Sequence, residues 1–171
     1  MSGQGTLGAL RLPIPSLLYS RPAGRPTPPG DRPSGVLLVD LGDARPGHRS
    51  LAIRDGTNEV RLAFPVPTPE IAGGAGEPTE AAPRIWVLHW PIAGASWTRL
   101  RATDPEVVVL ANARSLFSEG ESLVRAVGEV RARLGAEPLL WAPRVALPNR
   151  LAALAYLGVD LLDSTEALSR S

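Results

Sequence analysis

The chain has 171 residues and a net charge of +1, with 44% hydrophobic and 20% charged residues, the balance of an ordinary globular domain. At that length a single fold buries roughly 70% of its unfolded surface, so a core forms without covalent staples. Cysteine is absent, the two histidines, His48 and His89, lie far apart, and every basic residue is arginine; this excludes disulfides, thiol catalysis, Cys-ligated zinc, iron–sulfur clusters, Schiff-base lysines and P-loop lysines within these residues, and argues against a His-rich metal site.

In chain order, the stretch from Arg21 to Gly35 holds Pro22, Pro26, Pro28, Pro29 and Pro33 and reads as an extended loop, because proline cannot donate to a helix or an inner ladder. Gly35-Val-Leu-Leu-Val-Asp40 is a short strand. Ser50 to Phe64 reads as a hairpin: Leu51 and Ile53 alternate with polar residues, Asp55-Gly-Thr-Asn58 turns the chain, and Val60, Leu62 and Phe64 alternate on the return. A second Pro/Gly break runs from Pro65 to Pro83. Ile85 to Trp90 and Glu106 to Leu110 are strands, and their continuous apolar runs suit a parallel sheet covered on both faces. Ser118-Glu-Gly-Glu121 has capping-box spacing and predicts a helix to about Leu134, with Leu123, Val127, Val130 and Leu134 on one face and Gly135 ending it. Pro138 to Ala142 is a strand, Pro148 opens a helix to Gly158, and Val159-Asp-Leu-Leu-Asp163 is the last strand. Strand and helix alternate over 106–163, which predicts an α/β fold. An α/β domain rarely stops just past a buried strand, so that strand is expected either at a sheet edge or within something larger than this sequence.

The acidic strand end Asp160-Leu-Leu-Asp163 is the most informative feature. Carboxyl ends of parallel strands open onto the ligand crevice, where an aspartate serves as nucleophile or base. Asp163 shares parity with Val159 and Leu161, and Asp160 points the other way. The simpler reading is that Asp163 caps the strand or the turn at Ser164 and Thr165. Trp86, Trp90, Trp97 and Trp141 read first as packing residues with locally satisfied indoles, and second as base-stacking platforms. His89, between Leu88 and Trp90, reads as a satisfied structural histidine. Residues 1–64 carry eight arginines against five acids, but dispersed, which fits a solvated surface before a nucleic-acid patch. No GxGxxG, P-loop, Gly-x-Ser-x-Gly or HExxH is present.

The run Leu139-Leu-Trp-Ala-Pro143, followed by Ala146-Leu-Pro-Asn-Arg-Leu-Ala-Ala-Leu-Ala-Tyr-Leu-Gly-Val-Asp-Leu-Leu-Asp-Ser164, resembles the tRNA-guanine transglycosylase superfamily, most of all its archaeosine-synthase-like branch. The family pattern Gly-Val-Asp-Leu-Phe-Asp is matched by Gly158 to Asp163. The opening Gly5-Thr-Leu-Gly-Ala-Leu-Arg-Leu-Pro-Ile-Pro-Ser-Leu-Leu-Tyr19 is similar to the family's first hairpin and barrel strand. The resemblance implies a partial (β/α)8 TIM-like barrel, with residues 1–83 giving a hairpin, Pro/Gly-rich loops and a small β-rich block, and 84–171 a βαβαβ portion. It implies a tRNA-ribosyltransferase function in which Asp163 attacks ribose C1′ as guanine leaves, and a second base then displaces the enzyme.

The family's Asp-Ser-Gly-Gly-Phe-Gln segment, its Gly-rich base-pocket segment, the basic segment after the nucleophile and its Cys/His zinc site are all missing, and Thr165 to Ser171 is not basic. A nucleophile without a proton donor or base pocket loses most of its transition-state stabilisation. The alternative is therefore a non-catalytic half-barrel that binds tRNA or an active subunit, and a third reading is an α/β domain binding a small metabolite at its strand ends. Expected partners are tRNA and a homo- or hetero-oligomer partner completing the barrel; no cofactor is expected within this chain. With no apolar run near the 18–20 residues of a membrane span and no signal-peptide layout, a cytoplasmic location is expected.

Overall fold

The computed structural model describes residues 3–7, 10–21, 37–45, 48–55, 58–65 and 85–164. Of the loop read over 21–35, Arg21 ends a strand and the rest lies outside the described residues, as do residues 56–57 of the turn and most of the 65–83 break. Among the described residues ten strands and four helices follow in the order β1 (Gly3–Leu7), β2 (Leu10–Ile14), β3 (Ser16–Arg21), β4 (Leu37–Arg45), β5 (His48–Asp55), β6 (Asn58–Pro65), β7 (Ile85–Leu88), α1 (Gly94–Ala102), β8 (Val107–Leu110), α2 (Ala113–Ser118), α3 (Glu121–Leu134), β9 (Leu139–Trp141), α4 (Leu151–Tyr156) and β10 (Leu161–Asp163).

β1 and β2 form a separate antiparallel hairpin, and the other strands form one eight-stranded sheet in the order β6-β5-β4-β3-β10-β9-β8-β7. β7, β8, β9, β10 and β3 run parallel, β3 also pairs in parallel with β4, and β4, β5 and β6 form an antiparallel meander. The hairpin read over 50–64 is present as β5 and β6, in register from His48 opposite Pro65 to Asp55 opposite Asn58. β10 is not an edge strand: β3 covers one side and β9 the other. The first of the two explanations offered for the last strand is thereby corrected.

The unalternating apolar runs are those buried on both faces. Trp86, Leu88, Val108, Leu110, Leu140 and Leu162 face one core, which also takes Trp97 and Leu100 of α1, Ala113 and Leu116 of α2, Leu123, Ala126, Val127 and Val130 of α3, and Leu154 of α4. All four helices thus pack on one face. Ile85, Val87, Val107, Val109, Leu139, Trp141 and Leu161 point to the opposite face and join a second core with Leu18, Ile53, Val60 and the hairpin residues Leu7, Leu10 and Leu12. The sheet curls around this inner core, bringing the Cα atoms of its outer strands β6 and β7 within 8 Å of one another. The hairpin lies close on β9, since a Cβ at Gly5 would clash with Ile14 and sit 2.7 Å from Leu139. This is a mixed α/β fold whose parallel strands are flanked by helices.

Several local expectations are corrected. α1 fills a stretch to which the sequence reading assigned no element, and α2 precedes the helix expected from Ser118. The N-cap of α3 is Gly120 with no side-chain cap bond, and the Ser118 hydroxyl instead donates back to Arg114 O at 3.2 Å as α2 ends. The capping-box spacing therefore marks a break between two helices. Gly135 does end α3, at φ +77°. Pro148 lies before α4, which starts at Leu151. Val159 precedes β10 and packs in the helix-side core, so it does not share the face of Leu161.

Candidate functional site at the carboxyl ends of the parallel strands

Asp163 closes β10, and its neighbours fix its place. Leu161 faces the inner core, so alternation turns Asp163 to the same side at the carboxyl end of a central parallel strand. It stands opposite Leu18 of β3, and the next residue continues the ladder through Ser164 N–H to Leu18 O at 3.0 Å. Its side chain is 1% exposed. Oδ2 accepts from the Trp141 indole at 3.0 Å and from the Arg144 backbone N–H at 3.1 Å. Arg144 reaches that position with φ +61°, a left-handed turn that points its N–H back at the carboxylate. The carboxylate is thus held by β9 and the loop after it; Thr165, part of the local-cap reading, lies outside the described residues.

Asp160 does point the other way, and its setting is structural. Its carboxylate pairs with Arg131 and accepts from Leu140 N–H at 2.8 Å. Arg131, in the last turn of α3, also donates to Gly158 O through Nε at 3.0 Å and Nη2 at 2.7 Å, to Pro138 O at 2.9 Å and to Gly135 O at 3.2 Å. One guanidinium therefore ties the α3–β9 and α4–β10 connections together at the amino end of the sheet, far from the rim that carries Asp163. Arg131 is not among the residues the sequence analysis singles out; the available signal was a basic residue one turn before a helix-ending glycine, the place where orphan carbonyls collect.

The tryptophans divide. Trp90 donates to Glu129 Oε2 at 2.9 Å and Trp141 to Asp163, as locally satisfied indoles should. The buried Trp86 and Trp97 indole nitrogens have no acceptor among the described residues, which corrects that expectation for these two. Asn112, after β8, grips the Trp90 backbone in both directions, accepting from its N–H at 3.1 Å and donating to its carbonyl at 2.7 Å. His89 sits half-buried at the end of β7, where burial pushes its imidazole below the usual range. It has no hydrogen-bond partner among the described residues; a partner that satisfies it, as the sequence reading expects, would lie outside them. Among the described residues no group of three or more His, Asp or Glu is placed to hold a metal ion, and no helix is long and apolar enough to cross a membrane.

No family model and no solved structure matches this chain. Over 62 residues it is 29% identical to the archaeosine synthase subunit alpha of Methanosarcina acetivorans. That likeness is partial: the matched stretch covers 36% of this chain and spans 10% of the relative's length.

Proposed function

We propose that this chain acts in tRNA base modification as part of a transglycosylase-type scaffold, a portion of a (β/α)8-like barrel, with Asp163 as the attacking carboxylate. The observation that carries the reading is the position of Asp163: an inward-facing carboxylate at the carboxyl end of a central parallel strand, on the face the helices leave to the hairpin and the inner core. The partial likeness to an archaeosine synthase subunit supports the class of substrate. In the first displacement a carboxylate oxygen bonds to ribose C1′ while the C1′–N9 bond breaks and its electron pair leaves with guanine, which takes up a proton. In the second, N9 of an incoming base bonds to C1′, its proton departs, and the pair of the C1′–O bond returns to Asp163. Two inversions retain the configuration.

The non-catalytic reading has its own observation. At 1% exposure, with Oδ2 accepting from Trp141 and Arg144, the carboxylate is enclosed, and attack on a ribose requires the Arg144 turn to move aside. In that reading the chain binds tRNA, or a subunit that completes the barrel, without turning over. Incubation with tRNA and a guanine analogue, followed by denaturing electrophoresis, separates the two. A denaturant-resistant protein–RNA adduct abolished by Asp163→Asn is expected for base exchange; salt-sensitive binding with no adduct from the wild type identifies the binding module.

A further inference from the structure

The loops after β7 and β8 hold a geometry that base exchange through Asp163 alone leaves unused. Leu88 and Trp90 both pack against the helix-side core, so the pleat turns His89, between them, toward the inner face. One strand over, Asn112 is bonded to Trp90, Ala111 packs against the inner core, and Ala111 N–H donates to Leu88 O at 2.8 Å. The backbone ladder thus runs one residue past β8, onto the last residue of β7. Its register links Val87 to Val109, Val109 to Trp141, and Trp141 to Leu161. Two residues further on, the same row runs through His89, Ala111, Pro143 and Asp163. On a flat sheet three strand steps of ~4.8 Å set His89 and Asp163 about 14 Å apart. This sheet curls until β6 approaches β7, so side chains on its inner face converge, and Ala111, which stands beside His89 in that row, has only a small side chain.

We infer that His89 contacts the purine of a ribosyl-guanine held over Asp163 and carries its N9 proton. The location rests on the pleat and register; the chemistry of the ligand rests on the base-exchange reading above. The imidazole has no competing partner among the described residues, and its burial keeps it neutral near pH 7, the form that accepts a proton. In the second displacement the incoming N9–H gives its proton to the imidazole as N9 bonds to C1′ and the C1′–O bond returns its pair to Asp163. In the first, an imidazolium formed by proton uptake from solvent returns a proton to the departing guanine, so the complete exchange is proton-neutral.

The test uses the full chain with isotope-labelled histidine, the His48→Gln variant assigning the two ring signals. Titration with guanosine monophosphate is expected to shift the His89 ring signals saturably, to do so in Asp163→Asn as well, and to leave them in place when uridine monophosphate is used. Signals that stay still throughout, or that move equally with the pyrimidine, overturn the inference. The adduct assay distinguishes this proposal from the one it rests on. In His89→Gln the adduct is expected to form roughly 100-fold more slowly, the lower end of general acid–base effects. Formation at the wild-type rate overturns the proton role and leaves Asp163 as nucleophile. A purine-specific shift with no adduct from any form supports the contact at His89 and overturns its proton transfer together with base exchange.

Discussion

The bond from the Trp141 indole to Asp163 joins a neutral donor to a carboxylate that is removed from water, and such a bond is lost at the full desolvation cost of the group left behind. Trp141→Phe keeps most of the ring and removes the donor, so unfolding in urea is expected at a lower midpoint, with a loss of about 1.5–3 kcal/mol. Asp163→Asn keeps an amide oxygen able to accept from both Trp141 and Arg144 and should unfold nearer the wild type. That makes it a clean control for adduct formation, because loss of the adduct then reports lost nucleophilicity with the fold retained. His89 adds a pH dependence with a definite sign. Burial lowers its pKa in the folded chain, so below the ordinary histidine pKa of about 6.5 the unfolded chain binds more protons. The stability associated with His89 is present above that value and lost as pH falls through it toward the folded pKa. Urea midpoints measured from pH 7.5 down to pH 5 should show a decline that is shallower in His89→Gln; an unchanged slope rules out the burial effect.

Among the elements, the connections at the amino end of the sheet depend on one side chain. Arg131 donates to Gly158, Pro138 and Gly135 carbonyls and pairs with Asp160, so Arg131→Met leaves a partly buried carboxylate and several carbonyls without their donor. A loss on the order of 3–5 kcal/mol is expected, as for a buried pair broken from one side. Gly158 adopts φ +96°, and a Cβ there would meet Arg131 Nε at 3.4 Å, so Gly158→Ala is expected to cost about 1–2 kcal/mol. Because the two sites touch, the double variant should lose less than the sum; strict additivity in a denaturation cycle disproves the coupling. These same elements show what a linear reading captures. The continuous runs at Val107–Leu110 and Leu161–Asp163 identify strands because burial on both faces removes alternation, and the helix through Val127 follows from its spacing. α1 escapes because its polar, arginine-rich sequence buries only Trp97 and Leu100, too few to set a period. Arg131 escapes because its partners are carbonyls, which any residue supplies. The face of His89 depends on the pleat persisting beyond β7, which only the packing of Leu88 and Trp90 reveals. Asp163 was legible because a carboxylate ending an apolar strand is out of place unless something holds it; that Trp141 and the Arg144 turn hold it was not.

At the scale of the molecule, one curled sheet separates two faces. The helix face supplies the larger core, and the inner face ends in a rim where Asp163, the Arg144 turn and the loop before α4 come together. A net charge of +1 gives the whole chain little attraction for RNA, so any tRNA affinity must come from where the arginines sit. Arg144 is exposed on the loop after β9, with its backbone N–H on Asp163; Arg150, ahead of α4, stacks over the Phe117 ring at 4.1 Å. On the proposed reading, a tRNA whose ribose lay over Asp163 would pass its phosphates along that loop, and the guanidiniums would displace counterions from it. Two such contacts predict an affinity that falls on the order of 10-fold between 50 and 200 mM salt. Arg144→Gln should weaken binding similarly for all tRNA sequences and reduce the slope of log affinity against log salt by about one, whereas Asp163→Asn should leave that slope unchanged. Fluorescence anisotropy with labelled tRNA at stepped salt reads both quantities. A slope near zero in the wild type, or one insensitive to Arg144, removes RNA from this rim and leaves the strand ends to a small uncharged ligand.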